Sequence, residues 1–156
     1  MSQSLKAIIP RCVVVHCSAS ANGEHYDIDL ITKDHLKRGF NSAGYQIVIQ
    51  PDGEVQRGRG LNEKGAHCIE RNHDSTGICL IGLDKFTQKQ FEVLRYQIDG
   101  LMMTYPMNKW DIYCHYQFKS AQDQGKTCPS IRVNELLAWY LLFDNRAISK
   151  YILETK

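Results

Sequence analysis

Apolar runs and periodic segments alternate along the chain, and this alternation predicts an α/β fold. The runs are short, rich in β-branched side chains and bounded by turn residues, which is typical of strands. We place strands at Cys12–Cys17, 45–50, 54–57, 76–81 and 110–115. The Pro-Asp-Gly triplet at 51–53 predicts a tight turn that makes a hairpin of the second and third strands. We therefore expect a single mixed central β-sheet flanked by helices.

Three segments with helical periodicity separate or follow these strands. The first predicted helix spans about 29–38, the second begins at Thr87, and the third spans about 133–143. Gly39 stops the first helix, on which His35 is expected to be structural, and Thr87 with Gln90 forms a capping-box pattern at the start of the second. The side chains expected to face the core are Ile28, Ile31, Leu36, Phe91, Leu94, Ile98, Leu101, Leu136, Leu137, Tyr140 and Leu141.

Length and composition indicate one compact unit. The chain has 156 residues, of which 43% are hydrophobic, and this is enough apolar material for one core of ordinary size. We expect a single domain over residues 1–156 with its core at about 12–143, and a monomer. With 19 basic and 17 acidic residues, the charge is too balanced to indicate a nucleic-acid partner.

The distribution of apolar residues also bears on location. No run approaches the roughly 18 apolar residues of a membrane span, and the first residues lack an apolar signal core followed by a small-residue cleavage site. We therefore expect no signal peptide, no membrane partner and a protein that is made and kept in the cytosol.

The six cysteines are scattered along the chain at positions 12, 17, 68, 79, 114 and 128. This spacing lacks the density of a secreted disulfide framework, so we expect reduced thiols. Cys12, Cys79 and Cys114 lie in apolar runs and are expected to pack as small core residues.

Two histidines and one cysteine, far apart in sequence, form a candidate metal site: His16, His115 and Cys128. Three protein ligands leave one tetrahedral position of a zinc ion open, as in catalytic zinc sites, whereas structural sites use four. The ligands are not locally spaced like those of a zinc finger, so residue types alone leave ordinary packing as the commoner interpretation. Cys17, beside His16, is an alternative ligand.

The sequence around these residues resembles a known family. The stretches VVVHCSAS, GFNSAGYQIVIQPDGEVQRGR, GAHCIERNHDSTGICLIG and KTCPS resemble, in this order, the zinc-dependent N-acetylmuramoyl-L-alanine amidases of type 2. That family includes the amidase-type lysozymes of T7-like bacteriophages and the animal peptidoglycan recognition proteins. The resemblance runs from about residue 12 to about residue 130, and it implies the amidase fold of that family.

The resemblance implies roles for five residues. His16, His115 and Cys128 would bind one Zn²⁺ per chain. Tyr45 matches the family's active-site tyrosine, and Lys126 matches the lysine that stands two residues before the cysteine ligand in phage members. Lys126 is expected to bind the oxyanion, and Tyr45 to orient the attacking water or to pass its proton to the leaving nitrogen.

Three further positions follow from the same resemblance. His67 and Asn72 match a polar loop that flanks the groove, which implies contacts with the stem peptide or the muramyl sugar, although a capped surface loop is an equally good interpretation for Asn72. Cys79 stands where some bacterial relatives have a glutamate that is a candidate general base. This departure gives Tyr45 more weight in the mechanism.

The implied function is hydrolysis of the amide between N-acetylmuramic acid and L-alanine in peptidoglycan, in a phage endolysin that lyses the host cell. A bacterial cytosolic amidase that recycles muropeptides is the first alternative. The second is a non-catalytic peptidoglycan-binding module, and the third is inhibition of a phage RNA polymerase, for which residues 1–11 show no supporting or excluding feature. The complete set of ligands favours catalysis.

Overall fold

The computed structural model describes residues 7–154. Its centre is a five-stranded sheet with the strand order β3-β2-β4-β1-β5. The strands are β1 (Cys12–Cys17), β2 (Ile47–Ile49), β3 (Val55–Arg57), β4 (Ser75–Leu80) and β5 (Ile112–Cys114). The predicted strand at 45–50 is therefore shorter than expected, and Tyr45 lies just before β2.

The sheet is mixed, as predicted. β1 pairs in parallel with β4 and with β5, and β2 pairs in parallel with β4. β2 and β3 form the expected antiparallel hairpin. All residues of β1 and β4 are buried, which explains why they read as continuous apolar runs: parallel strands are covered on both faces.

The helices are α1 (Ile28–Lys37), α2 (Gln88–Thr104), α3 (Lys119–Asp123) and α4 (Val133–Leu142). Asp27 caps the start of α1 by accepting the backbone N–H of Leu30, which satisfies one of the unpaired donors of the first turn. Short 3₁₀ segments follow β5 and α4, at His115–Gln117 and Asn145–Tyr151. No helix in the described part of the chain is long and apolar enough to cross a membrane.

The predicted capping box at the start of α2 is present. The Thr87 hydroxyl accepts the N–H of Gln90, and the Gln90 side chain accepts the N–H of Thr87. The buried Gln90 amide also donates to the carbonyls of Ile49 and Ile81. It therefore ties α2 to the region where β2 and β4 end.

The two faces of the sheet differ in what covers them. One face packs against α2 and α4, and its apolar core includes Val13, Val15, Phe91, Leu136 and Trp139. The other face carries alternate residues of the same strands, among them Val48 and Cys79, which pack with Ile31 of α1. His16 follows Val14 on this second face, because side chains alternate along a strand.

One expectation about the helices is corrected, and one core residue is added. Leu36 does not face the core: its relative exposure is 52%, because α1 packs inward through Ile31 and His35, and Leu36 lies outside that buried face. Trp139 was not predicted as a core residue, yet it is buried against Phe91 with ring centroids 5.5 Å apart.

Candidate metal centre and active site

The sheet topology brings the three candidate metal ligands together. His16 lies near the carboxyl end of β1, and His115 directly follows β5, the neighbouring parallel strand. Parallel strands end at the same edge of a sheet, where ligands commonly bind in α/β proteins. Cys128 reaches this edge from the loop between α3 and α4. One ligand atom from each of the three residues lies within 4.8 Å of the others.

Backbone contacts hold Cys128 in this position. Its Sγ accepts the N–H of Cys17 at 3.0 Å, and its carbonyl accepts the N–H of Tyr116 at 3.0 Å. Cys17, the alternative ligand, packs with the core on the opposite face from His16 and is not part of the trio. Contact with Cys17 and burial raise the pKa of the Cys128 thiol, so a bound cation has to displace its proton.

Both imidazoles of the trio are neutral at neutral pH. Burial, followed by the neighbouring His67 and His115, lowers the pKa of His16 well below its usual value. Burial and the charge of Lys126 lower the pKa of His115 to about 4. Neutral imidazoles offer a lone pair to a metal ion, and two imidazoles with one thiolate form a donor set that suits zinc.

A third histidine lies behind the first. Nδ1 of His67 is 2.9 Å from Nε2 of His16, and Nε2 of His67 is 3.2 Å from the Ser75 hydroxyl. Burial lowers the pKa of His67 to about 3, with smaller contributions from His115 and Arg59. His67 is therefore a neutral, internally hydrogen-bonded group at the base of the site.

The position of Asn72 accounts for the conformation of the loop that runs from His67 to Asn72. Its side-chain oxygen accepts the backbone N–H groups of His67 and Cys68, each at 2.8 Å. Asn72 is not among the residues that line the adjoining cavity. Its position fits a structural cap of this loop, the alternative interpretation that the sequence left open.

A cavity of about 710 Å³ opens over the metal ligands. His16, His115, Cys128, Tyr45 and Lys126 all contribute to its lining, together with His67. Its opposite wall comes largely from α1 and the residues after it: Asp34, His35, Lys37, Arg38 and Phe40. A groove of this size beside a three-ligand site has room for an extended substrate.

Tyr45 stands next to the first ligand. Its ring centroid is 5.0 Å from that of His16 and 5.5 Å from that of His35. Burial, more than any neighbouring charge, raises the pKa of Tyr45 well above its usual value. The phenol therefore keeps its proton at neutral pH and can donate it in a hydrogen bond.

Lys126 supplies a positive charge beside the metal ligands. Its side chain is exposed to the cavity, and its ammonium has no hydrogen-bond or ion-pair partner within residues 7–154. Its backbone N–H donates to the Ala121 carbonyl at 2.9 Å, which fixes the chain just after α3. The cation is close enough to lower the pKa values of both His16 and His115.

The cavity has few groups that could act as a base. Cys79 is buried beneath it, and burial raises the pKa of its thiol. Of the described residues that line the cavity, Asp34 is the only acid, and its carboxylate accepts the Tyr26 hydroxyl at 2.5 Å. Tyr45 and Lys126, which also line the cavity, are polar side chains that can serve in proton transfer and charge stabilisation.

The family of the chain is settled by its sequence. A family model described as N-acetylmuramoyl-L-alanine amidase matches residues 6–131. The chain belongs to this amidase family. It is 33% identical to the endolysin of Escherichia phage T7 over 101 residues. The aligned segment covers 60% of this chain and 67% of the phage protein. The predicted family is thus confirmed.

Solved structures confirm the predicted fold class of this amidase-family chain. The N-acetylmuramoyl-L-alanine amidase LysC from Clostridium intestinale superposes with a TM-score of 0.74 at 24% identity, over 86% of this chain and 87% of that one. Bumblebee PGRP-SA gives a TM-score of 0.72 at 22% identity, over 90% and 89%. These identities are low, so the likeness shows a shared fold.

Two features of the site were not anticipated from the sequence. The first is the pair of buried contacts that His67 makes with His16, 51 positions away, and with Ser75, 8 positions away. No local pattern in the sequence indicates these contacts. His35 was expected to be structural; it is buried, but it also lines the cavity. Its place on α1, facing the ligand-bearing strand ends, is a consequence of tertiary packing alone.

Proposed function

We propose that this protein is a zinc-dependent N-acetylmuramoyl-L-alanine amidase that cleaves the bond between N-acetylmuramic acid and L-alanine in peptidoglycan, and that it acts as an endolysin. The observation that carries the proposal is the convergence of two imidazoles and one thiolate within 4.8 Å, at a cavity that also holds Tyr45 and Lys126. Family membership and the endolysin relatives support the substrate and the role.

His16, His115 and Cys128 would hold one Zn²⁺ per chain. Zinc at such a site supplies Lewis-acid activation of a water molecule and of the scissile carbonyl. The neutral imidazoles require no deprotonation for this, whereas Cys128 gives up its thiol proton on binding. The softness of the thiolate favours zinc over harder cations.

Lys126 stabilises the negative charge that develops on the carbonyl oxygen. Its ammonium is exposed to the cavity and has no partner in the described part of the chain, so its charge is available to the substrate. A fixed cation aimed at a developing oxyanion lowers the barrier because its favourable interaction grows as the reaction proceeds.

Tyr45 completes the proton transfers. Amide hydrolysis must deliver a proton to the leaving nitrogen, here the amino group of L-alanine. The Tyr45 phenol is protonated at neutral pH and lies beside His16, so it can orient the attacking water or donate to the leaving nitrogen. Asp34, the one carboxylate among the described cavity-lining residues, accepts a hydrogen bond from Tyr26.

The predicted contact of His67 and Asn72 with substrate finds less support. Both ring nitrogens of His67 have partners in the protein, and the Asn72 side chain holds its own loop. We propose instead that the stem peptide binds along the cavity wall that includes Lys37 and Arg38. The positive charges of these two side chains suit the carboxylates of the peptide.

The proposal is tested by digestion of purified peptidoglycan with the wild type and with Cys128→Ser, together with the metal content of each protein. The wild type should carry about one zinc per chain and release soluble fragments, while Cys128→Ser should lose both properties. Cys12→Ala is the matched control, since Cys12 is a fully buried cysteine at the far end of β1, and it should keep both.

Other outcomes of the same experiment decide between functions. Binding of peptidoglycan without release of fragments would support the non-catalytic module. Cleavage of soluble muropeptides with no action on intact wall would support a recycling amidase. Release from intact sacculi supports the endolysin, which would meet its substrate once the host membrane is permeabilised.

Two expectations about partners stay predictions. Inhibition of a phage RNA polymerase has no feature of residues 7–154 behind it, and residues 1–6 of the segment considered for it lie outside the described residues. The monomeric state is likewise a prediction. Co-purification with the polymerase and light scattering at micromolar protein would test them.

A further inference from the structure

A linear series of hydrogen bonds runs from the first metal ligand into the protein. Nε2 of His16 is 2.9 Å from Nδ1 of His67, Nε2 of His67 is 3.2 Å from Oγ of Ser75, and this hydroxyl donates to the Arg71 carbonyl at 2.6 Å. His16, His67 and Ser75 are all buried. The series therefore begins at the wall of the cavity and runs into the protein interior.

The last bond of the series sets the direction of all the others. A carbonyl oxygen only accepts, so the single hydroxyl hydrogen of Ser75 is committed to Arg71. The Ser75 oxygen must then accept from His67, which places the hydrogen of the neutral His67 ring on Nε2. Nδ1 of His67 is consequently an acceptor, and the hydrogen between the two rings belongs to Nε2 of His16.

The consequence for the ligand is a fixed tautomer. A neutral imidazole carries one N–H, so a hydrogen on Nε2 leaves the lone pair on Nδ1 of His16. Nδ1 is thereby the nitrogen that is available to a metal ion. His67 thus prepares His16 as a ligand although it is not a ligand itself.

The backbone is shaped to accept the His67 ring in this place. A Cβ on Gly77 of β4 would lie 2.6 Å from Cγ and Cδ2 of His67, and a Cβ on Gly65 would lie 2.5 Å from Cδ2. Both distances are shorter than any ordinary contact. The ring therefore lies in a slot between two glycines that any larger residue would close.

We infer that His67, anchored by Ser75, is a positioning residue that fixes the tautomer and orientation of His16 for metal binding. The inference rests on the proposed zinc site. Partners that hold the second nitrogen of a metal-bound histidine typically contribute about 10-fold to 100-fold in metal affinity.

The tautomers can be observed directly by long-range ¹H–¹⁵N correlation spectra of the histidine rings in the full chain, as purified and after removal of metal. Both His16 and His67 should show hydrogen on Nε2 in each state. Ser75→Ala removes the fixed end of the series and should allow His67 to populate the Nδ1–H form. A wild-type His67 with hydrogen on Nδ1 would overturn the inference.

Two carboxamide variants of His67 separate the effect of its hydrogen bond to His16 from the effect of its side-chain volume. The side-chain oxygen of Asn stands as many bonds from Cα as Nδ1 of His, so His67→Asn keeps an acceptor for His16. The terminal atoms of Gln stand as far out as Nε2, so His67→Gln keeps a partner for Ser75 but loses the acceptor. Zinc affinity, measured by competition with a chelator, should fall about 10-fold to 100-fold in His67→Gln and His67→Ala, and His67→Asn should recover most of the loss.

His73→Ala is the control, because this histidine lies in the same loop with a side chain that is 66% exposed. Thermal unfolding of each metal-free variant separates loss of fold from loss of affinity, and the Asn–Gln comparison still decides the matter if His67→Ala fails to fold. Equal zinc affinity of the Asn and Gln variants would refute the inference. If the wild type itself binds no zinc, the proposed function fails, while the tautomer spectra still test the inference.

Discussion

The role that we propose for Lys126 depends on the surroundings of a single exposed side chain. On sequence alone a loop lysine is normally a solvated charge, but here it borders the cavity that holds the two neutral imidazoles and the thiol of the candidate metal site. Lys126→Ala should lower turnover of peptidoglycan by about 10²-fold to 10³-fold, as loss of one oxyanion-stabilising group does. Zinc content should not change.

Lys119→Ala provides the comparison for this variant. Lys119 lies on α3, seven positions before Lys126 in the same segment, and its ammonium is paired with Asp123 at 2.6 Å. Its removal should leave turnover unchanged. Equal activity of Lys126→Ala and the wild type would remove Lys126 from the mechanism.

Tyr45→Phe removes one oxygen and keeps the ring that packs beside His16. We expect a loss of about 10²-fold or more in turnover, since a positioned proton donor typically contributes this much, with zinc content and thermal stability close to wild type. Tyr96→Phe, at a side chain that is 77% exposed, should have no effect. Full activity of Tyr45→Phe would assign the proton to another group.

His35 makes a pH-dependent contribution to stability. Its Nδ1 accepts the Gly44 N–H at 2.8 Å, and burial, followed by the charge of Arg38, lowers its pKa to about 4. The unfolded chain binds this proton at a higher pH, near 6.5. The contribution is therefore complete above about pH 6.5 and is lost as the pH falls towards 4.

Asn at position 35 can accept the same hydrogen bond through Oδ1 but does not titrate. Urea unfolding of the metal-free chain between pH 4 and 7 should show a shallower loss of stability for His35→Asn than for the wild type. The difference in slope should approach one proton, about 1.4 kcal/mol per pH unit. Identical slopes would show that His35 is already solvated in the folded protein.

Local sequence signals determine some elements and not others. The capping box of α2 was predictable because Thr87 and Gln90 are three positions apart and satisfy each other. The exposure of Leu36 was not, because the face of α1 that meets the sheet depends on the packing of Ile31 against Val48 and Cys79. The partners of His67 could not be predicted for the same reason. His16 lies on β1 and Ser75 on β4, and only the folded sheet brings both next to the loop that carries His67.

The α2 cap also offers a quantitative test at the scale of the element. The Thr87 hydroxyl accepts the Gln90 N–H and donates to the Pro51 carbonyl at 2.6 Å. Thr87→Ala should lower the free energy of unfolding by about 1 kcal/mol, measured by denaturant titration. Thr104→Ala, at the exposed other end of α2, should change it far less, and an equal effect at the two ends would contradict the role of the cap.

At the scale of the whole molecule, the sequence pattern predicts the fold class, whereas the strand order that brings the candidate ligands together follows only from folding. The alternation of buried strands and periodic helices predicts the mixed sheet, and ligands at strand ends predict a site at one edge. The strand order β3-β2-β4-β1-β5 is not encoded in any local pattern. Yet this order makes β1 and β5 neighbours, and so places His16 beside His115, with Cys128 arriving from a later loop.

The central claim is that this site hydrolyses one particular amide bond. Mass spectrometry of the products from intact, purified peptidoglycan tests it most directly. We expect peptides that begin with a free L-alanine amino group and glycan chains with unsubstituted lactyl groups, formed by the zinc-loaded wild type. New reducing sugar ends, or cleavage between residues of the stem peptide, would contradict the assignment.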